Sequence, residues 1–449
     1  MSILQCKHDS YVDTEYECIG PIPEHWSVTR LKFLTTCLDG QRIPLNATER
    51  GELQGDIPYW GSNNVVDHVS EYLFDEELIL LGEDGAPFFE ANRDVAFAVS
   101  GKIWPNNHVH VLRPNGRLAD TKFLAFSLNC VPYHLHVTGS TRDKLNQSDM
   151  NEILVRRPPL IEQKQIASFL DYETGKIDAL IAMQQQLIAL LGEKRQAVIS
   201  HAVTKGLNPD APMRDSGVQW LGQVPEHWKL RRLKHAVADD GIQMGPFGTS
   251  LINVLREPAA YCVFGQANTI SGDFKEVSRW LPESAYRGLQ HYRLFPGDLV
   301  LTRKGSLGNC RVVPDEVPAG IMDSDTIRVR TRSDLSSVFL AKLMHDALYI
   351  EVQIDLNRRG AILPGLNTSV VGNLLLAVPP PQEQFDILAD LADKTGRLDQ
   401  IADNLFDQLS LLRERRTALI SAAVTGKIDV RGWKPPSSAA KSETEMEVA

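Results

Sequence analysis

No stretch of this 449-residue sequence reaches the roughly 18 consecutive apolar residues that a membrane-spanning helix needs, so no membrane partner is expected. The first ten residues carry Lys7, His8 and Asp9 and lack the apolar core of an export signal, which predicts a cytoplasmic protein. None of the six cysteines (Cys6, Cys18, Cys37, Cys130, Cys262, Cys310) stands in C-x-x-C or other metal-ligand spacing, so buried free thiols are expected. Excess positive charge is also missing: the net charge is -10, which works against a nucleic-acid partner. The distribution weakens that objection. Residues 28–157 hold 13 basic and 17 acidic side chains, whereas residues 229–378 hold 18 and 15.

What the chain does have is length for two to four domains at about 100–200 residues each, and it is written twice. Gly20-Pro21-Ile22-Pro23-Glu24-His25-Trp26 with Arg30-Leu31-Lys32 returns as Gly222-Gln223-Val224-Pro225-Glu226-His227-Trp228 with Arg232-Leu233-Lys234, at an offset of 202. Pro159, Glu162-Gln163, Ser200 and Ala202-Val203-Thr204 return as Pro380, Glu383-Gln384, Ser421 and Ala423-Val424-Thr425, at an offset of 221. The interiors between these markers show no alignable identity: residues 57–85 have no counterpart in 243–308. One frame holding two different inserts predicts two different ligands of one kind.

The frame reads as two long helices. Residues 162–204 contain no proline and place Ile166, Leu170, Ile177, Leu180, Leu187, Leu191 and Val198 at steps of 4, 7, 3, 7, 4 and 7. Adding 221 gives Ile387, Leu391, Leu398, Ile401, Gln408, Leu412 and Leu419, with Leu405 filling a further seam position. A sustained seven-residue seam supports a left-handed coiled coil. The two helices are expected to pair antiparallel as a spacer, a rod of roughly 60 Å at about 1.5 Å per residue. Packing of each helix on its own domain is the competing reading. Prolines at Pro158-Pro159 and Pro379-Pro380-Pro381 suit helix starts, and Gly206 and Gly426 suit helix ends.

The inserts alternate short apolar runs with turn residues. Strands are expected at 78–81, 95–99, 109–112, 298–302 and 326–330, inside a mixed α/β module in each half. Asn and Gln can fork onto adenine, and Arg or Lys onto guanine. Such side chains crowd the turns: Asn63, Asn64, Asn106, Asn107 and His108 in the first insert, and Gln243, Arg303, Lys304, Ser306 and Asn309 in the second. Turn chemistry explains any one Asn there. Residues 108 and 110, and 134 and 136, are alternating histidines that would share a strand face, but two ligands without a third give no metal site. Gly305-Ser306-Leu307-Gly308 lacks the Lys-Ser/Thr of a phosphate loop.

The doubled Pro-Glu-His-Trp and the proline-led Glu-Gln helix ending in Ala-Val-Thr resemble the specificity subunits of Type I restriction-modification systems, from about Gly20 to Trp433. Tyr59-Trp60-Gly61-Ser62-Asn63, Gly82-Glu83-Asp84-Gly85 and Asn107-His108 are similar to one class of recognition domain in that family. Gly245-Pro246-Phe247-Gly248 and Gly297-Asp298 through Arg303-Lys304-Gly305-Ser306 are similar to another. The resemblance implies an α+β chain in which two mixed α/β target-recognition domains are joined by two long helices in an antiparallel coiled coil, with a pseudo-two-fold repeat. The domains would be 1–157, a helix over 158–208, 209–378, a helix over 379–430 and a disordered tail over 431–449.

It also implies that each insert reads half of a split site on double-stranded DNA. The helices would fix the gap and dock two adenine-N6 methyltransferase subunits, with restriction/translocase subunits joining them. S-adenosylmethionine, ATP and magnesium are expected on those partners and no cofactor here. No Asp/Asn-Pro-Pro-Tyr/Phe or Walker motif occurs, so no catalytic residue is expected. Two readings compete. One is a DNA-binding scaffold or regulator without a methyltransferase partner; the other is a magnesium nuclease built on Glu83, Asp84 and Glu90.

Overall fold

The computed structural model describes residues 7–90, 92–137, 143–247, 251, 254–303, 309–358 and 365–436. They form two compact units, Met1–Gln186 with Leu405–Ala449, and Leu187–Asn404. Both long helices contribute to both units, because Leu160–Lys205 and Pro381–Val424 are each one continuous helix.

In the first unit, an antiparallel sheet has the order Thr35–Cys37, Val109–Pro114, Leu78–Gly82, Ala96–Val99. Side chains alternate across a strand, and here both faces are covered. Ile79, Leu81 and Leu112 pack on Leu124 and Leu128 of the helix Thr121–Leu128. Leu78, Leu80, Val109 and Val111 pack on Phe74 and Ile103 of a second sheet. That is why residues 78–81 read as an unbroken apolar run. The second sheet pairs Gln54–Trp60 with Val65–Val69 and, in parallel, with Lys102–Pro105.

The second unit repeats this plan. Its antiparallel sheet has the order Val237–Met244, Thr326–Thr331, Leu299–Thr302, Cys310–Val312. Tyr261–Phe264 runs parallel to Gly320–Met322. The six strands come in the same chain order as in the first unit. The inserts that share no alignable sequence therefore share a topology.

The repeated markers meet each other within each unit. Trp26 Nε1–H donates to Glu162 Oε1 at 3.1 Å, and His25 Nε2 lies 2.7 Å from Oε2. Trp228 and His227 treat Glu383 in the same way, at 3.1 and 2.8 Å. The next residue caps the insert helix. Gln163 Oε1 accepts from the Asp120 N–H (2.9 Å) while its amide donates to the Leu118 and Pro158 carbonyls; Gln384 does the same for Ser336, Asp334 and Pro379. Each insert is closed by a strand pair, Ser27–Arg30 with Leu154–Arg157 and Lys229–Arg232 with Leu375–Val378. Both long helices end at a glycine with φ of +75°, Gly206 and Gly426, where other residues would be strained.

The helices pair antiparallel in each unit. Ile166, Leu170 and Ile177 cluster with Leu419, Ile420 and Ala423 in the first, and Ile199, Ala202 and Val203 with Ile387 and Leu391 in the second. Each helix also packs on its own domain, so the two expected arrangements coexist. The buried or half-buried seam on the first helix is Ile166, Leu170, Thr174, Ile177, Ile181, Gln184, Ile188, Leu191, Arg195, Val198 and Ala202. On the second it is Ile387, Leu391, Thr395, Leu398, Ala402, Leu405, Leu409, Leu412, Arg416, Leu419 and Ala423, each 221 residues on.

The expected seam thus needs correction at Leu180, Leu187 and Ile401, which are 45%, 44% and 46% exposed, and at Gln408, which is exposed. The seam runs one residue later, through Ile181, Ile188, Ala402 and Leu409. Thr174 and Thr395 sit in it because their hydroxyls donate back to the Leu170 and Leu391 carbonyls (2.6 and 2.7 Å). Arg195 and Arg416 reach Asp399 and Asp178 on the opposite helix, both at 3.0 Å. This repeated pair marks one register in both units.

Two smaller expectations also shift. His134 lies in the 3-10 turn Tyr133–Leu135 rather than on a strand. Among the cysteines, Cys262 and Cys310 are buried, Cys37 and Cys130 half-buried and Cys18 exposed, all as free thiols; Cys6 lies outside the described residues. Residues 437–449 of the expected tail do so as well.

Truncating the seam residue Leu409 (4% exposed) to Ala is expected to cost about 2–5 kcal/mol of stability, while Leu187→Ala stays within about 0.5 kcal/mol. Urea unfolding of the full chain measures both. Equal losses would mean that the seam has been assigned to the wrong face.

Candidate nucleic-acid interface

Strand register shows which loops of the two inserts correspond. Trp60 pairs with Pro105, and Phe264 with Met322, so Gly61 is equivalent to Gly265 and Asn106 to Asp323. Gly82 pairs with Val109, and Thr302 with Thr326, so Glu83 is equivalent to Arg303. Backbone bonds repeat the match. The Asn106 N–H donates to Trp60 O (3.0 Å) and Asp323 N–H to Phe264 O (2.8 Å); Glu83 N–H donates to His108 O (3.0 Å) and Arg303 N–H to Asp325 O (2.9 Å). In each unit these bonds join the loop after the 106-type or 323-type position to the loops that follow two other strands.

In the first unit the cluster is residues 61–64, 83–85 and 106–108. Asn64 and Asn107 are exposed, and Asn63 and His108 half-exposed. Asn106 is buried, with Oδ1 accepting from the His108 N–H at 2.8 Å, so its side chain shapes its own turn and does not face outward. Glu83 is neutralised by Arg42 (2.6 Å) and Lys144 (3.3 Å), and Asp84 lies 3.3 Å from His108 Nδ1. Arg42 and Lys144 carry no motif of their own; only the fold brings residues so far apart in sequence to one loop. These ion pairs answer the objection raised by the acidic composition, since the acids at this edge already hold cations.

In the second unit the cluster is residues 245–247, 265–268, 303 and 323–325. Arg303 directs Nε to Leu366 O and Nη1 to Ser324 O, both at 3.3 Å, and stacks its guanidinium 5.6 Å from the ring centroid of Phe247, which is 58% exposed. Its half-exposed planar cation beside an exposed aromatic ring suits nucleic acid, through stacking as well as charge. Gln243 is half-buried, and its Oε1 accepts from Arg328 Nη2 at 2.9 Å. Arg328 is 4% exposed and also donates to the His291 and Arg293 carbonyls, so this pair stiffens the sheet edge. Asn309 is half-buried and its carbonyl accepts from the Thr302 N–H, 2.8 Å away. Lys304 and Ser306 lie outside the described residues. Sequence reasoning missed Gly265-Gln266-Ala267-Asn268, whose likeness to Gly61-Ser62-Asn63-Asn64 emerges only once the strands are aligned.

The carboxylates suggested for a magnesium nuclease are engaged elsewhere: Glu83 and Asp84 as above, and Glu90 with Arg93 at 3.1 Å. Among the described residues, no helix is long and apolar enough to cross a membrane.

Comparison with known proteins points to one family. Residues 23–190 match the model of the Type I restriction modification DNA specificity domain. A putative type I restriction enzyme specificity subunit of Haemophilus influenzae is 27% identical over 86% of this chain and 90% of its own length. The chain carries a Type I restriction-modification specificity domain and is similar along most of its length to specificity subunits of that family. Other similar members are the MjaVIII specificity subunit of Methanocaldococcus jannaschii, 23% identical over 91% of this chain and 94% of its own, and the Escherichia coli EcoKI specificity subunit, 20% identical over 92% and 91%. A solved chain, from work on complex assembly and conformational transition of the type I restriction-modification system, shares the fold with a TM-score of 0.63 at 15% identity, covering 90% of this chain and 98% of that one. Members of this family are non-catalytic, and this specificity subunit recognises DNA for enzymes that it does not itself contain.

In the specificity subunit, Gly245 admits no side chain, since an added Cβ would lie 1.8 Å from the Asp323 carbonyl oxygen. Gly245→Ala is expected to displace the 323–325 loop and weaken recognition of one half-site at least tenfold, leaving the other intact. Competition binding of the assembled complex to DNA altered in one half at a time reads this out, and equal loss at both halves would contradict it.

Proposed function

We propose that this specificity subunit reads a bipartite double-stranded DNA site, one half per insert, and holds two adenine-N6 methyltransferase subunits and the restriction/translocase subunits on it in the cytoplasm. The observation that carries this reading is the duplicated frame around two inserts of one topology, whose corresponding loops bear different side chains. Asn63, Asn64, Asn107 and His108 are the base-reading candidates of the first half, and Arg303, Lys304, Ser306 and Asn309 of the second. S-adenosylmethionine, ATP and magnesium belong to the partners in this reading, and this chain carries no catalytic residue.

The first long helix supports a docking role. Leu180, Met183, Leu187 and Leu190 are 44–57% exposed at steps of 3, 4 and 3, a second apolar stripe beside the paired seam. Helical residues at this spacing share a face, and such a face suits partner helices. Leu187→Glu is therefore expected to leave the chain folded by circular dichroism and to lower methyltransferase-subunit association at least tenfold in pull-down titrations. Unchanged association would remove this face from the account.

Co-expression with the neighbouring methyltransferase subunit in a methylation-free host, followed by single-molecule mapping of N6-methyladenine, tests the function itself. A split motif with a modified adenine in each half is expected. Replacing residues 28–157 with another family member's insert should change one half alone. Assembly without any methylation would favour a scaffold.

A further inference from the structure

The first unit contains a buried histidine that the frame does not need. His8 has a side chain only 2% exposed, and neither Nδ1 nor Nε2 has a hydrogen-bond partner. A buried imidazole left in this way loses its hydration with nothing in exchange. Burial pushes its pKa down, against the opposing pull of Asp429 and Glu162. Nε2 lies 4.0 Å from Glu162 Oε1, and Nδ1 3.9 Å from Asp429 Oδ2. The His8 and His25 ring centroids are 5.4 Å apart. One donor atom each from His8, His25 and Glu162 lies within 4.8 Å of the others.

We propose that His8, His25 and Glu162 bind a divalent transition-metal ion, with zinc the best match. Two imidazole nitrogens and one carboxylate, with water in a fourth position, form a known tetrahedral zinc set, and bonds of about 2.0–2.2 Å place such donors about 3.3 Å apart. Closing the cluster to that spacing moves the His8 ring toward Glu162 and opens the 2.7 Å contact between His25 Nε2 and Glu162 Oε2. His25 is 37% exposed and supplies an entry path. Glu162 coordinates through Oε2 while Oε1 keeps the Trp26 N–H. Asp429, fixed by Arg431 at 2.6 Å, faces His8 Nδ1 and orients the ring, as carboxylates do for metal-bound histidines. The ion ties the segment before the first repeat to the start of the long helix.

The chain carries its own control. His227 and Trp228 grip Glu383 with the geometry of His25, Trp26 and Glu162. Strand register aligns Tyr11 with Met213, since they pair with Pro23 and Pro225, so the place of His8 falls to Asp210, which is exposed. The other cluster of possible ligands, Asp39, Glu83 and His110, is already filled, with Arg42 on both carboxylates and His110 between Asp39 and the Leu145 carbonyl.

The test uses the full chain, stripped with a chelator and titrated with Co²⁺, whose d–d absorption reports a tetrahedral nitrogen-oxygen site, and then with Zn²⁺. One Co²⁺ per chain, displaced by zinc, is expected, with a thermal midpoint that rises on zinc addition. His8→Gln and His25→Asn abolish the band and the shift, His227→Asn preserves both, and Asp429→Asn weakens zinc binding by about 10–100-fold. Circular dichroism of the metal-free variants confirms that each is folded. Absence of a band from the wild-type chain, or a band that survives both His8→Gln and His25→Asn, overturns the site.

Discussion

The architecture rests on one carboxylate used twice. Glu162 and Glu383 stand in the first turn of the long helices, and each accepts the indole N–H of a tryptophan while facing a histidine of the same Pro-Glu-His-Trp segment. A buried carboxylate without such partners is costly, and Glu162 is only 7% exposed. The pairing therefore fixes where the chain entering an insert meets the helix leaving it. Gln163 and Gln384 then carry the constraint into the insert by capping its helix. Variation elsewhere in the insert leaves these anchors untouched, which is how one frame holds two unrelated sequences.

The long helices extend the constraint through a seam that is not purely apolar. Threonines satisfied by their own helix and the Arg195–Asp399 and Arg416–Asp178 pairs recur at an offset of 221. Ion pairs that stay partly open to water contribute about 0–1 kcal/mol each, so these act on register more than on stability. A slip by one turn would separate the arginines from the aspartates in both units together.

The frame was legible in the sequence because its markers are identical residues whose functions are carried by side chains. The seam was legible only to within one residue. Leu180 stands beside Ile181 and Leu187 beside Ile188, and periodicity cannot choose between neighbouring apolar residues when threonine, arginine and alanine occupy seam positions. The kinship of the inserts was invisible for a different reason: the bonds that define it, such as Asn106 N–H to Trp60 O and Asp323 N–H to Phe264 O, are made by backbone and leave no trace in residue identity. Asn106 and Gln243 had the chemistry of base readers, and only coordinates show Asn106 turned into its own loop and Gln243 holding Arg328.

The equivalence of Glu83 and Arg303 gives the two halves different electrical characters at the same point of the same topology. Around Glu83, the cations Arg42 and Lys144 are already committed to protein carboxylates, whereas Arg303 bonds neutral carbonyls and keeps its full charge for a phosphate or base. Attraction to the DNA backbone weakens steeply with added salt in proportion to the cations that meet it. Under the proposed reading, ionic strength would therefore act unevenly on a single molecule, loosening the half read around Arg303 more than the half read around Glu83.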